Sequence, residues 1–346
     1  MKDSSAINYL LLIVAKKGRS RMSKRISLLG IAVAAVFAMN SFAKADDHIK
    51  HVKVAITQIM AHPAADAVRK GVEDALTENG YKQGENFELT FLSAQGNIST
   101  ATQVARKFVG DKPDVIVAIS TPSAQTVLAA TRTIPVVFAA ISDPIGAKIV
   151  SSLTKPGGNV TGTSDRIDVA QSLKLLQEVK PDLKKLGYLY NASEANSVST
   201  LKMLQDVADK AGIEVIPSSA PKPSDVQAAT RALIGKVDII FIPADNTVLS
   251  VLEGAVKVTE ETNTPLFTVD SNSIGRGPFM TQGVNFYDVG LEAGKMVVRI
   301  LKGEKPGDMD VMQAANNDIR IDMKATKKAG IIIPQAIMER ATKIIQ

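Results

Sequence analysis

The stretches Asp114–Pro122, DVIVAISTP, and Asp238–Asn246, DIIFIPADN, decide the fold class. Each is a run of β-branched and other apolar residues that begins at an acid and ends in polar residues. Such continuous apolar runs are typical of strands whose two faces are both covered by helices. Each run leads through a helical pattern to a second short apolar run, Pro135–Ala139 or Pro265–Val269. The repeat predicts an α/β protein with two doubly wound lobes built on parallel sheets.

The same alternation of strand and helix extends outward from these stretches. The other predicted strands are His51–Thr57, Phe87–Leu92, Lys185–Tyr190 and Ile213–Ala220. The predicted helices are Pro63–Asn79, Ser99–Val109, Pro122–Thr131, Asp168–Val179, Asn196–Ala211, Ser224–Ile234 and Leu249–Asn263. A turn-forming stretch, Lys155–Asn159, separates the two series. The adjoining string GGNVTG, Gly157–Gly162, has the wrong spacing for dinucleotide binding, and we interpret it as a hinge or turn.

The N-terminal 45 residues have the pattern of a targeting segment. From Met22, two basic residues precede the apolar run Ile26–Met39, and Ala43–Ala45 forms an A-x-A cleavage site. This order is typical of a secretory signal peptide, and the run is shorter than the roughly 18 residues that a membrane span needs. We therefore expect translation to start at Met22, cleavage after Ala45, and a mature protein that lies in the periplasm and does not span the membrane.

Composition and charge exclude several classes of protein. The 346 residues are 45% hydrophobic and include no Cys and three His, which excludes disulfides, thiolate metal sites and cysteine nucleophiles. Of the 41 basic and 35 acidic residues, eight basic and one acidic lie in residues 1–45. The mature chain then has 33 basic and 34 acidic residues, a balance that does not favour nucleic acid. No P-loop, GxSxG or HExxH motif is present, so we expect neither an enzyme nor a metal or cofactor.

Polar side chains cluster directly after the predicted strands, where open parallel sheets bind their ligands. The candidate ligand-binding residues are Gln58, His62, Ser120, Thr121, Ser123, Ser142, Asp143, Asn191, Asp245 and Asp270. A helix start rich in hydroxyl groups binds carboxylates, and Asp245 occupies the position equivalent to Thr121 in the other half. The pairing suits a zwitterion, with its carboxylate at the helix start and its ammonium on Asp245. Each hydroxyl or carboxylate could instead be a helix cap or part of an Asx turn.

Several longer strings are specific enough to indicate a family. They are PDVIVAISTPSAQ (Pro113–Gln125), IPVVFAAISDPIGAKIV (Ile134–Val150), GGNVTGTSD (Gly157–Asp165) and the tail Ile319–Ile345. Through these strings the chain resembles the periplasmic substrate-binding components of ABC transporters, in the branch that includes tryptophan/tyrosine transport-system binding proteins. The resemblance covers nearly all of residues 50–346.

The resemblance implies a type I periplasmic binding protein fold, with two Rossmann-like lobes joined by a three-strand hinge. Lobe one would comprise residues 46–162 and 287–316, and lobe two residues 163–286 and 317–346. The implied crossovers lie near Thr161–Ser164, Asn285–Tyr287 and Asn316–Asp318. The ligand would bind at the same strand ends between the lobes.

The resemblance also implies a binding protein without catalytic activity. It would capture a small polar or zwitterionic ligand by lobe closure, and the branch favours an amino acid, the aromatic ones included. We expect a monomer that delivers this ligand to an ABC transporter permease. A sensory protein that presents its closed form to a membrane receptor is the alternative, and a secreted enzyme using Asp143, Asp245 or Asp270 is a third class.

Overall fold

A computed structural model describes residues 51–315 and 318–346, so the predicted signal peptide lies outside the described residues. The strands are β1 (Val52–Gln58), β2 (Phe87–Ser93), β3 (Val115–Ile119), β4 (Val136–Ala139), β5 (Val160–Ser164), β6 (Lys185–Tyr190), β7 (Glu214–Ser219), β8 (Ile239–Ile242), β9 (Leu266–Thr268), β10 (Met280–Gly283), β11 (Met312–Gln313), β12 (Asp318–Asp322) and β13 (Lys343–Ile345). Among the described residues, every helix is too short or too polar to cross a membrane.

The α-helices alternate with these strands in the predicted manner. They are α1 (Pro63–Glu78), α2 (Ile98–Asp111), α3 (Thr121–Ala130), α4 (Val169–Val179), α5 (Ala195–Lys210), α6 (Val226–Arg231), α7 (Asn246–Ser250), α8 (Leu252–Thr262), α9 (Phe286–Leu301), α10 (Met323–Lys328) and α11 (Gln335–Arg340). Short 3-10 turns cover Pro223–Asp225, Ser271–Ser273 and Pro306–Asp308.

Two sheets organise the chain. The first has the strand order β11-β5-β4-β3-β1-β2 and is parallel throughout, and we call it, with its helices, lobe one. The second, in lobe two, has the order β13-β12-β10-β9-β8-β6-β7. Its strands are parallel except for the antiparallel pair β10 and β12. The expectation of an α/β protein with two lobes is thus confirmed, although the second sheet is mixed rather than purely parallel.

Both faces of each sheet are buried, as the apolar runs predict. In β3, Val115 and Val117 pack into one core cluster, whereas the alternate residues Ile116 and Ala118 pack into the cluster on the other face. The second sheet also lies between two clusters, one that contains Tyr188 and one that contains Leu189. This alternation follows from the two-residue period of a strand. Such burial holds the carboxyl ends of the strands, and the loops that follow them, in fixed positions.

Within the described residues the chain passes between the sheets after β5 and between β10 and α9, and β12 again belongs to the second sheet. The predicted crossover near Asn316–Asp318 lies mostly outside the described residues. Helix α9 returns to lobe one and packs closely on α1. A Cβ atom added to Gly290 would lie 2.1 Å from the carbonyl oxygen of Val68, so only glycine allows this approach. The contact fixes the start of α1, which borders the site described below.

Three local expectations differ from the structure. The predicted helix Leu249–Asn263 is divided into α7 and α8 at Val251, whose φ and ψ are −134° and 38°. The predicted helix Ser224–Ile234 is shorter and begins with a 3-10 turn. In the string GGNVTG, Gly157 and Gly158 have positive φ as a turn requires, but Val160 begins strand β5. This strand forms because it pairs with β4 and β11, which are distant in sequence.

Candidate functional site

A cavity lies between the carboxyl ends of the strands of the two lobes. Its position is the one expected for the ligand site of an open α/β sheet. The lining residues are His62, Ala64, Ala65, Val68, Ile119, Ser120, Thr121, Ala140, Ser142, Asp165, Asn196, Ala244, Asn246, Leu249 and Phe286. Residues from both lobes therefore enclose the same space.

The start of α3 forms one polar part of the cavity. Ser120 follows β3 and Thr121 begins the helix, and both line the cavity. The Oγ atom of Ser120 is buried without a hydrogen-bond partner, so it does not cap its own helix. The backbone of Ser120 has φ 74° and ψ 159°, a region occupied almost only by glycine. A helix start with free N–H groups and a free hydroxyl is suited to bind a carboxylate.

Asp165 is the acidic group of the cavity. It directly follows β5, is only 2% exposed, and its Oδ1 atom has no hydrogen-bond partner. Burial raises the pKa of this carboxyl group from 3.8 to about 6, and a hydrogen bond from the Ser142 hydroxyl opposes that shift. A buried carboxylate with an unpaired oxygen is costly unless a cation or donor reaches it. This oxygen is therefore available to a hydrogen-bond donor that enters the cavity.

Asn196 supplies an uncharged acceptor from lobe two. Its Nδ2 donates to the carbonyl oxygen of Ala244 at 2.8 Å, whereas its Oδ1 is buried without a partner. Because Nδ2 is held by the protein, Oδ1 accepts a hydrogen bond only from a molecule in the cavity or from water. Asp165 and Asn196 thus place two acceptor oxygens in the same space, one from each side of the cleft.

His62 connects the two lobes. Its Nδ1 accepts a hydrogen bond from the backbone N–H of Ala65 at 3.4 Å, so the ring caps α1. In the neutral ring the proton is then on Nε2, which lies 3.3 Å from Oδ1 of Asn246 in lobe two and donates to it. His62 is 9% exposed and serves both as a helix cap and as a contact across the cleft.

The rest of the cavity wall is apolar. Val68 and the alanines at the start of α1 form one part, and Ile119 and Ala140 lie at the ends of β3 and β4. Leu249 and the aromatic ring of Phe286 complete it. An apolar wall beside a few polar groups is the usual composition of a site for an amphipathic small molecule.

Four candidates from the sequence, His62, Ser120, Thr121 and Ser142, line the cavity together. Three others in lobe one lie near it without lining it. Gln58 donates through Nε2 to Asp66, Ser123 is buried in the first turn of α3, and Asp143 accepts from the N–H of Gly146 and the hydroxyl of Ser199.

The lobe-two candidates Asn191, Asp245 and Asp270 lie behind the cavity wall. The carboxylate of Asp245 accepts hydrogen bonds from the N–H groups of Asn191 and Val248 and from the hydroxyl of Ser197, at 2.6–2.9 Å. Burial and the neighbouring Glu194 raise the pKa of Asp245. Asp270 caps a 3-10 turn. The carboxylates of Asp245 and Asp270 act as caps in this structure, and Asp245 does not reach the cavity.

Asp165, Asn196, Asn246 and Phe286 line the cavity but are absent from the candidates identified in the sequence. Asp165 has the same signal as those candidates, an acid directly after a strand, but the string GGNVTG, which overlaps β5, predicts a turn instead of a strand. Asn196 and Asn246 lie in the first turns of α5 and α7, where Asn is commonly a cap. Phe286 reaches the site because α9 returns from lobe two to lobe one, which no local pattern indicates.

Comparison with known proteins gives consistent matches. The sequence profile of the ABC transporter substrate binding protein family matches residues 53–345. A tyrosine-binding protein of Clostridioides difficile (strain R20291) is 37% identical over 284 residues, which are 82% of each chain. A solved ABC domain in complex with L-Trp from Streptococcus pneumonia is 33% identical with a TM-score of 0.83, over 86% of this chain and 100% of that one. A ligand-free, open substrate binding protein with adhesive properties from Clostridium difficile is 38% identical, but its TM-score is 0.65, over 85% and 99%.

Proposed function

The chain belongs to the ABC transporter substrate binding protein family, and we propose that its ligand is an aromatic L-α-amino acid, which it delivers to the permease of an ABC importer. The observation that carries this proposal is the set of unpaired buried atoms in the cavity: Ser120 Oγ, Asp165 Oδ1 and Asn196 Oδ1. An α-amino acid carries a carboxylate and an ammonium on one carbon atom. The helix start with its hydroxyl group suits the carboxylate, and the two acceptor oxygens suit the ammonium.

The carboxylate of the ligand is placed at the start of α3. Anions bind there because the first N–H groups of a helix have no partner within the helix and the helix dipole is positive at this end. The Ser120 hydroxyl adds a donor, and Thr121 lines the same part of the cavity. Both belong to lobe one, so the carboxylate can bind before the lobes close.

The ammonium is placed between Asp165 and Asn196, rather than at Asp245. Charge-assisted hydrogen bonds are among the strongest in proteins. Binding there also compensates for the burial of the Asp165 charge. Because Asn196 belongs to lobe two, the same ammonium joins the lobes, and closure is favoured when the ligand contacts the closed state better than the open one.

The aromatic side chain is placed against Phe286, Leu249 and Val68. Relatives named as tyrosine-binding or solved with L-Trp support this choice. The present structure resembles the L-Trp complex more than the ligand-free, open relative, which supports assigning it to a closed arrangement.

The location of the protein forms part of the proposal. We place the mature chain, residues 46–346, outside the cytoplasmic membrane in the periplasm, as a monomer. Edman sequencing of the protein purified from the periplasmic fraction tests this directly, because an N-terminus at Asp46 is expected. Light scattering tests the monomer.

Calorimetric titration of residues 46–346 tests the ligand. The protein is first unfolded and refolded to remove any bound ligand, and is then titrated with L-Trp, L-Tyr and L-Phe, and with sugars and nucleosides for comparison. We expect binding of aromatic amino acids only. Binding of sugars or nucleosides instead would contradict the proposal.

The variant Asp165→Asn tests the ammonium site. A hydrogen bond to a charged group contributes about 1.5–3 kcal/mol, so affinity should fall about 10- to 100-fold. Asp209→Asn, on the exposed face of α5, is the matched control and should bind as the wild type does. Unchanged affinity in Asp165→Asn would refute the assigned ammonium position.

A further inference from the structure

Glu194 is a buried carboxylate that does not line the cavity, yet it contacts the residues that form the lobe-two wall. It is 5% exposed. Its Oε2 accepts from the backbone N–H and the Nδ2 of Asn246 at 3.0 and 2.6 Å, and its Oε1 accepts from the backbone N–H and the hydroxyl of Thr247 at 3.0 and 2.8 Å. Four donors from two adjacent residues therefore fix this carboxylate directly behind the wall.

These bonds determine which way the wall asparagines present their oxygens. Because Nδ2 of Asn246 is bound to Glu194, its Oδ1 faces the cleft and accepts from His62. The Nδ2 of Asn196 lies 3.5 Å from Oε2 of Glu194 and 2.8 Å from the carbonyl oxygen of Ala244. Its Oδ1 is consequently directed into the cavity, where it has no partner.

The charge of Glu194 is not neutralised by the protein. Within the described part of the chain, neither Glu194 nor its neighbour Asp245 forms an ion pair with a lysine or arginine. The donors to Glu194 are all uncharged amide and hydroxyl groups. Charges interact more strongly in the protein interior than in water. The lobe-two wall is thus neutral at its surface and negatively charged behind it.

We propose that Glu194 is a positioning residue that makes the cavity selective for ligands with an α-ammonium group. It does so by directing the Asn246 oxygen toward the cleft and by adding a negative potential behind the amides of Asn246 and Asn196. This inference rests on the proposed function. It goes further, because it assigns selectivity to a side chain that does not touch the ligand.

The test compares L-tryptophan with indole-3-propionate, which has the same ring and carboxylate but no ammonium. In Glu194→Gln the affinity for L-tryptophan should fall about tenfold, because the ammonium loses its attraction to a charge that acts more strongly in the protein interior than in water. The affinity for indole-3-propionate should stay within about twofold or increase, because loss of a negative charge does not weaken binding of an anion. The ratio of the two affinities, which measures the selectivity for the ligand with an ammonium group, then falls about tenfold.

A purely structural role for Glu194 gives a different result. If Glu194 only caps α7, both affinities should fall by the same factor, and the proposal is overturned. Glu253→Gln is the matched control, since Glu253 lies in the first turn of α8, pairs with Arg276 at the surface and should leave selectivity unchanged. If the wild-type protein binds no aromatic amino acid, the proposed function is wrong. If the wild type binds one but Glu194→Gln has the same selectivity, only the role assigned to Glu194 is wrong.

Thr247→Val keeps the test decisive if Glu194→Gln does not fold. This substitution retains the charge of Glu194 and the shape of residue 247, but removes one of the four donors. Without this donor the Glu194 carboxylate is held less firmly. The selectivity for L-tryptophan over indole-3-propionate should therefore fall about two- to threefold, which corresponds to losing part of one hydrogen bond. Circular dichroism establishes that each variant is folded. If Glu194→Gln does not fold, and the folded Thr247→Val protein has the same selectivity as the wild type, the proposal is overturned.

Discussion

Oδ2 of Asp143 and Oγ of Ser199 form a hydrogen bond of 2.5 Å that joins the two lobes outside the cavity. Asp143 belongs to the loop after β4 in lobe one, and Ser199 belongs to α5 in lobe two. Gly146 permits this position of the carboxylate, because a Cβ atom there would lie 2.1 Å from Oδ2 of Asp143. The bond therefore joins the two lobes through residues that do not line the cavity.

The first prediction concerns this bond. In Ser199→Ala the closed state should lose about 1 kcal/mol, the usual contribution of one hydrogen bond, and affinity should fall about fivefold for every ligand. Calorimetric titration with L-Trp and L-Tyr measures the effect. Ser193→Ala, at an exposed serine in the loop that precedes α5, is the control. A change for one ligand but not for another would instead indicate that Ser199 contacts the ligand.

The second prediction concerns the strained backbone of Ser120. Gly adopts φ 74° and ψ 159° without strain, so Ser120→Gly should raise the free energy of unfolding by about 1 kcal/mol, even after the greater entropy of glycine in the unfolded chain. The same variant should bind its ligand more weakly because the hydroxyl is lost. Urea unfolding and titration measure the two effects.

The variant Ser120→Ala distinguishes the effect of the backbone strain from the effect of losing the hydroxyl group. It removes the hydroxyl but retains a Cβ atom at the strained position, so affinity should fall as in Ser120→Gly while the stability does not rise. Equal stabilities of the two variants would show that the backbone at residue 120 carries no strain.

The third prediction concerns pH. Burial raises the pKa of Asp165 from 3.8 to about 6 in the ligand-free protein. A raised pKa means that this group stabilises the ligand-free fold below about pH 4, and that this contribution is lost as the pH rises through 6. Ligand binding has the opposite dependence, because the ammonium requires the ionised carboxylate. Affinity should thus decrease as the pH falls from 7 to 5.

Titrations at pH 5 to 8 measure this dependence, which should approach a tenfold loss of affinity per pH unit below the pKa. Asp165→Asn should largely abolish the slope because it has no ionisable group at residue 165. A slope that persists in this variant would assign the titration to another group.

The order of strands and helices could be predicted because its signals are local. The apolar run around Val117 determines a doubly covered strand, and the structure places the corresponding strand at Val115–Ile119. The division of the predicted helix Leu249–Asn263 could not be predicted. Asn246 and Thr247 at the start of α7 are held by Glu194, more than 50 residues away in sequence.

By itself, the sequence determined the alternation of elements, the two-lobe α/β class and the edge at which the site lies, since strand ends carry polar residues wherever a parallel sheet binds its ligand. It also placed acids after several predicted strands, among them Asp245, but not Asp165, because the string that precedes Asp165 predicts a turn. Only the tertiary structure decided which acid lines the cavity. Both oxygens of Asp245 are occupied by donors from its own lobe, whereas Oδ1 of Asp165 is unpaired in the cavity. A carboxylate is available to a ligand only where the folded chain leaves it without internal donors, and that depends on residues far apart in sequence.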